Sequence, residues 1–253
     1  MAVTIKTQKE IEKMREAGKI LGEIHDKIGD FIKPGMTTFE VDAYGEKLIR
    51  DAGCIPECKG YGGFPAAFCT SVNECVVHGI PSKKIVLKEG DILTLDTVLS
   101  LDGYMADAAR TWPIGKVSDE TKKFMDVTKQ AFYEGIKFAH AGNHLFEISK
   151  AVQDYVESFG YGIIREYVGH GIGKDMHEDP EIPNFKPIGR GMKLRPGMTI
   201  CVEPMTSMGD YAVWVLDDDW TAVTVDESYT CHHENTILIT EDEPEILTVG
   251  QSM

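Results

Sequence analysis

The 253-residue chain lacks several features that would assign it to a common class. It has no run of about 18 apolar residues, so we expect no membrane-spanning helix. Its first residues, "MAVTIKTQKEIEKMREAGKI", contain no apolar core of a secretory signal peptide. The six cysteines include no C-x-x-C pair, and a chain of this length does not need disulfides to fold. We therefore predict reduced thiols in a cytoplasmic protein.

Positive charge is also scarce. Lysine and arginine number 26 against 41 aspartates and glutamates, which gives a formal net charge of −15. Because nucleic-acid affinity rests on neutralising phosphates, we expect no direct nucleic-acid binding. The stretch "GHGIG" (169–173) is not the G-x-G-x-x-G of a dinucleotide site, and no G-K-[ST] phosphate loop occurs. The excess of carboxylates modestly favours a cationic ligand.

Four segments carry helix signals. A threonine followed three residues later by a glutamate forms a capping box, and this pair occurs at Thr7 and again at Thr37. The predicted helices run from Thr7 to just before Lys33, and over about 38–52, 118–139 and 144–158. Strand-like segments lie around 70–77 and 91–99, and more strands follow the last helix.

Two separated blocks of the sequence match other blocks at one offset. "GMTTFEVDAYGEKLIRDAG" (35–53) aligns with "GNHLFEISKAVQDYVESFG" (142–160), an offset of 107. "LKEGDILTLD" (87–96) aligns with "LRPGMTICVE" (194–203) at the same offset. One such match could be chance, but two blocks that share an offset indicate a duplicated unit.

The second block aligns Asp96 with Glu203. We therefore predict two pseudo-symmetric α+β halves, at about 5–112 and 113–249, each placing a carboxylate on an equivalent strand. No low-complexity linker separates them, so residues 1–253 should form a single catalytic domain.

The stretch "LTLDTVLSLDGYMADAARTW" (93–112) predicts a hairpin with two aspartates. An Asp-Gly pair favours a two-residue loop, which would place Asp107 opposite Val98. Because side chains alternate along a strand, Asp96 would then lie on the same face as Asp107. Two unpaired carboxylates there would repel each other, so the face is either open to solvent or holds a cation.

Further candidate ligands lie at strand ends or in glycine-rich turns. Glu203 ends the apolar segment "MTICVEP", and Glu234 opens "ENTILIT". His78, His170 and His177 lie next to glycines or turn residues. Each of these residues alone would more often be solvated or structural, but their joint placement indicates a site.

Five of these residues form a donor set of carboxylates and one imidazole. It suits Mn, Fe, Co or Zn in a catalytic role rather than a structural zinc site. Four carboxylates match the charge of two divalent cations, an arrangement known in hydrolytic enzymes. The candidate ligands are Asp96, Asp107, His170, Glu203 and Glu234.

The same motifs, in the same order, resemble those of the type I methionine aminopeptidases, a family of pita-bread metallopeptidases. The motifs are "SVNECVVHGIP", the Asp-x10-Asp hairpin, "GHGIG" with "MHEDP", "VEPM" and "ENTILIT". The resemblance covers about residues 5–249. It implies an α+β fold in which a central curved antiparallel sheet of two related halves is flanked by helices.

The resemblance also implies an activity, the removal of an N-terminal methionine that precedes a small second residue. Asp96 would bind one metal ion alone, Asp107 and Glu234 would bridge both ions, and His170 with Glu203 would complete the second. A hydroxide between the two ions would attack the scissile carbonyl, and Glu203 would assist proton transfer.

Two histidines and an apolar pocket complete the site that the resemblance implies. His177 would hydrogen-bond the substrate carbonyl, and His78 would contact the leaving nitrogen. Sulfur and aromatic side chains would suit the methionine thioether. The pocket residues would be Cys58, Tyr61, Phe64, Cys69 and Trp220. Gly62 and Met176 depart from the family, which more often has a histidine and an aromatic residue at these positions.

Further expectations concern cofactors and partners. Some family members bind a monovalent cation through backbone carbonyls near Asn73, Cys75 and Thr230. The chain is expected to be a monomer that acts on nascent polypeptides and approaches the ribosome only transiently. Two alternatives remain: an X-Pro aminopeptidase of the same fold and a metal-free peptide-binding module. The first usually has an additional N-terminal domain, and the second loses metal ligands.

Overall fold

The computed structural model describes residues 3–250. The helices are α1 (Gln8–Phe31), α2 (Thr38–Asp51), α3 (Asp119–Ile136) and α4 (Leu145–Glu157). A short 3₁₀ turn covers Tyr61–Gly63. The strands are β1 (Ile55–Pro56), β2 (Cys69–Val72), β3 (Cys75–Val77), β4 (Ile92–Leu101), β5 (Tyr104–Pro113), β6 (Gly162–Ile163), β7 (Gly169–Gly171), β8 (Glu178–Ile182), β9 (Thr199–Val202), β10 (Met205–Ser207), β11 (Val213–Val215), β12 (Ala222–Thr224), β13 (Thr230–His232), β14 (Asn235–Leu238) and β15 (Glu245–Ile246).

The first two helices begin where the capping boxes predict. At α2, the backbone N–H of Thr37 donates to the Glu40 carboxylate at 2.8 Å, and the N–H of Glu40 donates back to the Thr37 hydroxyl at 3.2 Å. At α1, the N–H of Thr7 donates to Glu10 in the same way, also at 2.8 Å. Both pairs satisfy N–H groups that the first helical turn leaves without partners.

All strand pairs in the four sheets are antiparallel, which confirms the α+β class. The longest pair is β4 with β5. The largest sheet has the order β15-β14-β9-β7-β8. The two sheets meet where the N–H of Glu234 donates to the carbonyl of Ala109 at 3.0 Å. The N–H of Asp107 also donates to the Thr236 hydroxyl there, at 3.0 Å. This seam brings the middle of β5 against the start of β14.

The offset of 107 residues reappears in the backbone hydrogen bonds. The N–H of Gly35 donates to the carbonyl of Leu87 at 2.8 Å, and that of Gly142 donates to Leu194 at 3.0 Å. An isolated β-bridge joins Thr37 to Val86, and its equivalent joins His144 to Lys193. Equivalent contacts therefore fix the start of α2 against the approach to β4 and the start of α4 against the approach to β9.

Each pair of helices covers one part of the sheet system. Helix α1 buries residues spaced three, four and seven apart, among them Met14, Leu21 and Ile28, against β4 and β5. Full burial of such side chains contributes about 1.5–3 kcal/mol each. The buried face of α4, which includes Ile148, packs with α3 and the β9–β14 pair. The helices thus hold both sheets in place on either side of the seam.

Three further findings bear on the sequence expectations. The strand-like segment at 70–77 is divided into β2 and β3, which belong to different sheets, because Asn73 adopts a left-handed conformation with φ of +52°. Within residues 3–250, no helix is both long and apolar enough to cross a membrane. All six cysteines are buried and free of disulfides.

Candidate metal centre

The β4–β5 hairpin places its two aspartates on one face. Asp107 pairs with Val98 across the ladder, as predicted from the Asp-Gly turn. Asp102 and Gly103 both have positive φ, +50° and +77°, which a two-residue hairpin turn of the favoured type requires. Asp96 lies two residues from Val98 and therefore shares its face. The hairpin alone thus accounts for two candidate ligands.

His170 on β7 points its Nε2 atom at two of the carboxylates. This atom is 3.5 Å from Oδ2 of Asp107 and 3.6 Å from Oε1 of Glu203. Its Nδ1 lies 2.9 Å from the carbonyl oxygen of Gly171, and since a carbonyl only accepts, Nδ1 carries the proton. In the neutral ring, Nε2 is then a bare lone pair that faces two acidic side chains. This is the tautomer of a metal-binding histidine.

Several buried carboxylate oxygens lack a hydrogen-bond donor among residues 3–250. They are Oδ1 of Asp107, Oε1 of Glu203 and Oε1 of Glu234. Burial first, and the neighbouring carboxylates second, raise the pKa of Glu203 and Glu234 well above the usual range. Buried oxygens without donors, gathered around a bare imidazole nitrogen, fit a site for divalent cations.

Asp96 occupies the more open side of the group. Its side chain keeps part of its surface accessible to the cavity, whereas Glu203 is only 8% exposed. Burial and then Asp107 raise the pKa of Asp96 well above the usual range. Across the strand pair it lies opposite Cys69.

Two residues near the centre escaped sequence reasoning. Sγ of Cys201 joins Asp107, His170 and Glu234 in a group whose potential donor atoms all lie within 4.8 Å of one another. His232 places Nε2 3.7 Å from Glu203 and 3.9 Å from Glu234. The alternation of side chains along β9 could have identified Cys201, because it lies two residues before Glu203. His232 immediately precedes the "HENTIL" segment without any distinguishing motif.

A cavity of about 210 Å³ opens beside the carboxylates. The structure brings the predicted pocket residues together around it, since they all line this cavity. Cys58, Phe64 and Cys69 are almost fully buried, whereas Tyr61 at the rim is 47% exposed. Burial raises the pKa of both cysteine thiols, so they remain neutral and contribute apolar surface. Trp220 packs edge-on against Phe64, with ring centroids 5.2 Å apart.

His78 and His177 line the same cavity. His78 has φ of +60°, an uncommon conformation for a residue other than glycine and one often found at functional sites. His177 lies against the His170 ring at 4.4 Å, and burial lowers its pKa to about 4. Nδ1 of His177 is 2.8 Å from the Tyr61 hydroxyl. Both histidines are therefore held between the carboxylate group and the apolar pocket.

The two departures from the family pattern shape the pocket wall. Gly62 has φ of +55°, and a Cβ atom there would lie 3.2 Å from the Trp220 ring. Glycine therefore leaves the Trp220 side of the pocket unobstructed. Met176, only 6% exposed, belongs to the apolar cluster of Cys58 and Phe64, so a flexible thioether replaces an aromatic wall there.

The residues expected for a monovalent cation also converge. The Thr230 hydroxyl lies 2.9 Å from the carbonyl oxygen of Asn73 and 2.7 Å from that of Cys75. A hydroxyl has one proton and can donate it to only one of these acceptors at a time. The backbone N–H of Thr230 donates to the Asn73 carbonyl at 2.7 Å, so the hydroxyl can donate to Cys75 and each carbonyl has a donor.

The comparisons with known proteins agree with this site. The model of metallopeptidase family M24 matches residues 12–241. Methionine aminopeptidase from Clostridium acetobutylicum is 53% identical over 247 residues, 98% of this chain and 99% of the relative. The crystal structure of methionine aminopeptidase from Thermotoga maritima matches with a TM-score of 0.96 and 45% identity, covering 98% of this chain and 100% of the other.

A more distant likeness shows the fold alone. Prolidase from Pyrococcus furiosus matches with a TM-score of 0.77 at 24% identity, and the match covers 98% of this chain but 66% of the prolidase. The pita-bread fold expected from the sequence is confirmed by these structures. The chain belongs to metallopeptidase family M24, among the bacterial type I methionine aminopeptidases.

Proposed function

We propose that the chain is a metal-dependent aminopeptidase that hydrolyses the bond after an N-terminal methionine, with preference for a small second residue. One observation carries the proposal: buried carboxylate oxygens without donors converge with a bare imidazole nitrogen directly beside a sulfur- and aromatic-lined cavity. The names of the relatives give the same activity.

The donor set suits two divalent cations of the Mn, Fe, Co or Zn type. Asp96, Asp107 and Glu234 would hold one ion, and His170 with Glu203 would complete a second that shares Asp107 and Glu234. When bound, such ions polarise a carbonyl and lower the pKa of water. The oxygens of Asn73, Cys75 and Thr230 would hold the monovalent cation.

Three side chains would act on the substrate. Glu203 would accept and return a proton at its carboxylate, since it lines the cavity beside the other candidate ligands. His177 would donate a hydrogen bond to the carbonyl oxygen of the first residue, and His78 would contact the nitrogen of the leaving chain. The free α-amine would lie near Asp96, which is the least buried of the five candidate ligands.

The apolar cavity would select methionine. Cys58, Cys69 and Met176 offer sulfur, and Phe64 and Trp220 offer ring surfaces. Contacts between sulfur and aromatic rings contribute about 0.3–1.5 kcal/mol each. The cavity of about 210 Å³ is of a size for one side chain rather than for a longer peptide segment.

The proposal extends to the surroundings of the enzyme. The catalytic unit is the whole chain, with halves at about 5–112 and 113–249. It would act in the cytoplasm as a monomer, on nascent polypeptides and in transient proximity to the ribosome. The net charge of −15 gives no general affinity for membranes or nucleic acid.

The X-Pro aminopeptidase alternative is less well supported. The prolidase likeness is one of fold at 24% identity, whereas the methionine aminopeptidase of Clostridium acetobutylicum is 53% identical. A metal-free binding module has no need for buried carboxylates without hydrogen-bond donors.

A cleavage assay on metal-stripped protein tests the proposal. The peptide Met-Ala-Ser is supplied while Mn, Fe, Co or Zn is titrated in. We expect no methionine release without metal and full release as about two equivalents bind. A parallel assay with Ala-Pro-Ser separates the alternatives, because preferential cleavage of that peptide would identify an X-Pro aminopeptidase.

A further inference from the structure

Tyr61 and His177 meet across the rim of the pocket. The Tyr61 hydroxyl lies 2.8 Å from Nδ1 of His177, and the two rings are tilted at 56° with centroids 5.4 Å apart. Tyr61 belongs to the 3₁₀ turn, while His177 lies immediately before β8. The fold therefore joins the pocket wall to the histidine beside the carboxylates.

The direction of this hydrogen bond decides which ring nitrogen of His177 carries the proton. At pH 8 an imidazole is neutral and carries one proton, and a phenol also carries one. If Tyr61 donates to Nδ1, the His177 proton is on Nε2. In the reverse arrangement Nδ1 donates to the phenol, and Nε2 presents a lone pair. A lone pair would repel a substrate carbonyl oxygen, whereas an N–H would bind it.

We propose that Tyr61 is a positioning residue whose hydroxyl fixes His177 in the tautomer that donates from Nε2. A residue of the methionine pocket thereby also prepares the hydrogen-bond donor for the scissile carbonyl. The use of that donor in catalysis rests on the proposed function, whereas the tautomer can be observed without any substrate.

The backbone of the turn ties Tyr61 to the interior of the pocket. Gly60 and Gly63 have φ of +94° and +96°, values that glycine adopts at little cost. The N–H of Gly60 donates to the carbonyl of Phe64 at 2.7 Å, and the N–H of Phe64 donates to that of Tyr61 at 2.9 Å. Phe64 is buried in the pocket, so a substrate side chain that packs on Phe64 would also contact the turn that holds Tyr61. The turn therefore connects the buried wall of the pocket with the residue that contacts His177.

A kinetic cycle tests whether Tyr61 acts through His177. The variants are Tyr61→Phe, which keeps the ring, His177→Ala, and the double variant, all assayed on Met-Ala-Ser. We expect Tyr61→Phe to lower kcat about tenfold with KM within about twofold, since one well-placed hydrogen bond is lost. In the His177→Ala background, the same change should alter kcat by less than about twofold.

The control is Tyr155→Phe on α4, outside the site, which should leave kcat and KM unchanged. If the losses from Tyr61→Phe and His177→Ala multiply in the double variant, Tyr61 acts independently and the proposal is overturned. A raised KM with unchanged kcat in Tyr61→Phe would also overturn it, because Tyr61 would then be only a wall of the pocket.

The tautomer is observed directly by ¹H–¹⁵N NMR of zinc-loaded protein labelled at histidine, at pH 8 and without peptide. The His177 signals are assigned by their loss in His177→Ala. We expect a bare Nδ1 and a protonated Nε2 in the parent protein, and a mixture of tautomers in Tyr61→Phe. A protonated Nδ1 in the parent would overturn the proposal. If the expected tautomer appears in a protein that releases no methionine, the proposed function fails while the Tyr61 assignment stands.

Discussion

Two stretches of the chain are built alike and end differently. The first runs from α2 to Asp96 on β4, and the second from α4 to Glu203 after β9, with equivalent backbone hydrogen bonds along the way. Strand β4 continues for five residues beyond Asp96 and turns into β5, whereas β9 ends at Val202. The cause is Pro204, which has no N–H to continue the ladder.

The difference shows how equivalent stretches of one fold place candidate ligands in unlike surroundings. By continuing, the first stretch forms a hairpin that contributes Asp107 as well as Asp96. By ending, the second leaves Glu203 at the strand terminus, 3.6 Å from His170 and 3.7 Å from His232. Both carboxylates line the cavity, but the first is partly exposed, whereas the second is buried between two imidazoles.

The largest expected effect is a loss of kcat, and its size should differ between these two carboxylates. Glu203→Gln should lower kcat on Met-Ala-Ser about thousandfold, because a proton carrier and a ligand are lost together. Asp96→Asn should lower it about a hundredfold, and excess metal should restore part of the loss, because only a ligand is weakened. Both are checked by kinetics together with bound-metal analysis. Glu203→Gln protein that binds metal and keeps most of its activity would contradict the assignment.

The next largest effect is a change in Tm that depends on both pH and bound metal. The pKa values of Asp96, Glu203 and Glu234 are raised in the folded protein, so their contribution to stability is present below the unfolded values and is lost as pH rises through the folded ones. Metal-stripped protein should therefore lose several degrees of Tm between about pH 5.5 and 8. A divalent cation should restore more at pH 8 than at pH 5.5, because it competes with protons.

Scanning calorimetry of stripped and reloaded protein at both pH values measures this effect. Stripped Glu203→Gln protein is the matched control and should show a shallower fall of Tm with pH. A gain in Tm on adding metal that does not change with pH would show that the raised pKa values do not govern binding.

The smallest expected effect is a change in KM caused by altering the wall of the apolar cavity. Met176→Phe places a rigid ring where a flexible thioether now packs with Cys58 and Phe64. We expect KM for Met-Ala-Ser to rise about fivefold with kcat almost unchanged, since only ground-state fit is lost. Met192→Phe, at a partly buried position that packs against a separate core cluster, serves as the control for a general packing defect. A fall in kcat without a change in KM would mean that Met176 acts on the reacting groups.

Local rules predicted much of the scaffold from the sequence. The capping boxes located the starts of α1 and α2, and the Asp-Gly turn fixed the register that pairs Val98 with Asp107. These features depend on hydrogen bonds between residues close in sequence or directly across one turn. The resemblance to a family supplied the expected roles of the side chains, which the residues alone left open.

What the sequence did not predict depends on contacts between distant residues. Cys201 and His232 lie beside the carboxylates because β9 and β13, strands of different sheets, both border the site. The hydrogen bond between Tyr61 and His177 joins positions 116 residues apart. The break between β2 and β3 rests on one left-handed residue, Asn73, within a segment of strand-forming residues.

The candidate metal centre is assembled across the seam between β5 and β14. Asp96 and Asp107 come from one side of it, and His170, Glu203 and Glu234 from the other. A protein made of either half alone would carry an incomplete set of ligands. Under the proposed assignment, the centre therefore forms only when both sides of the seam are present in the folded protein.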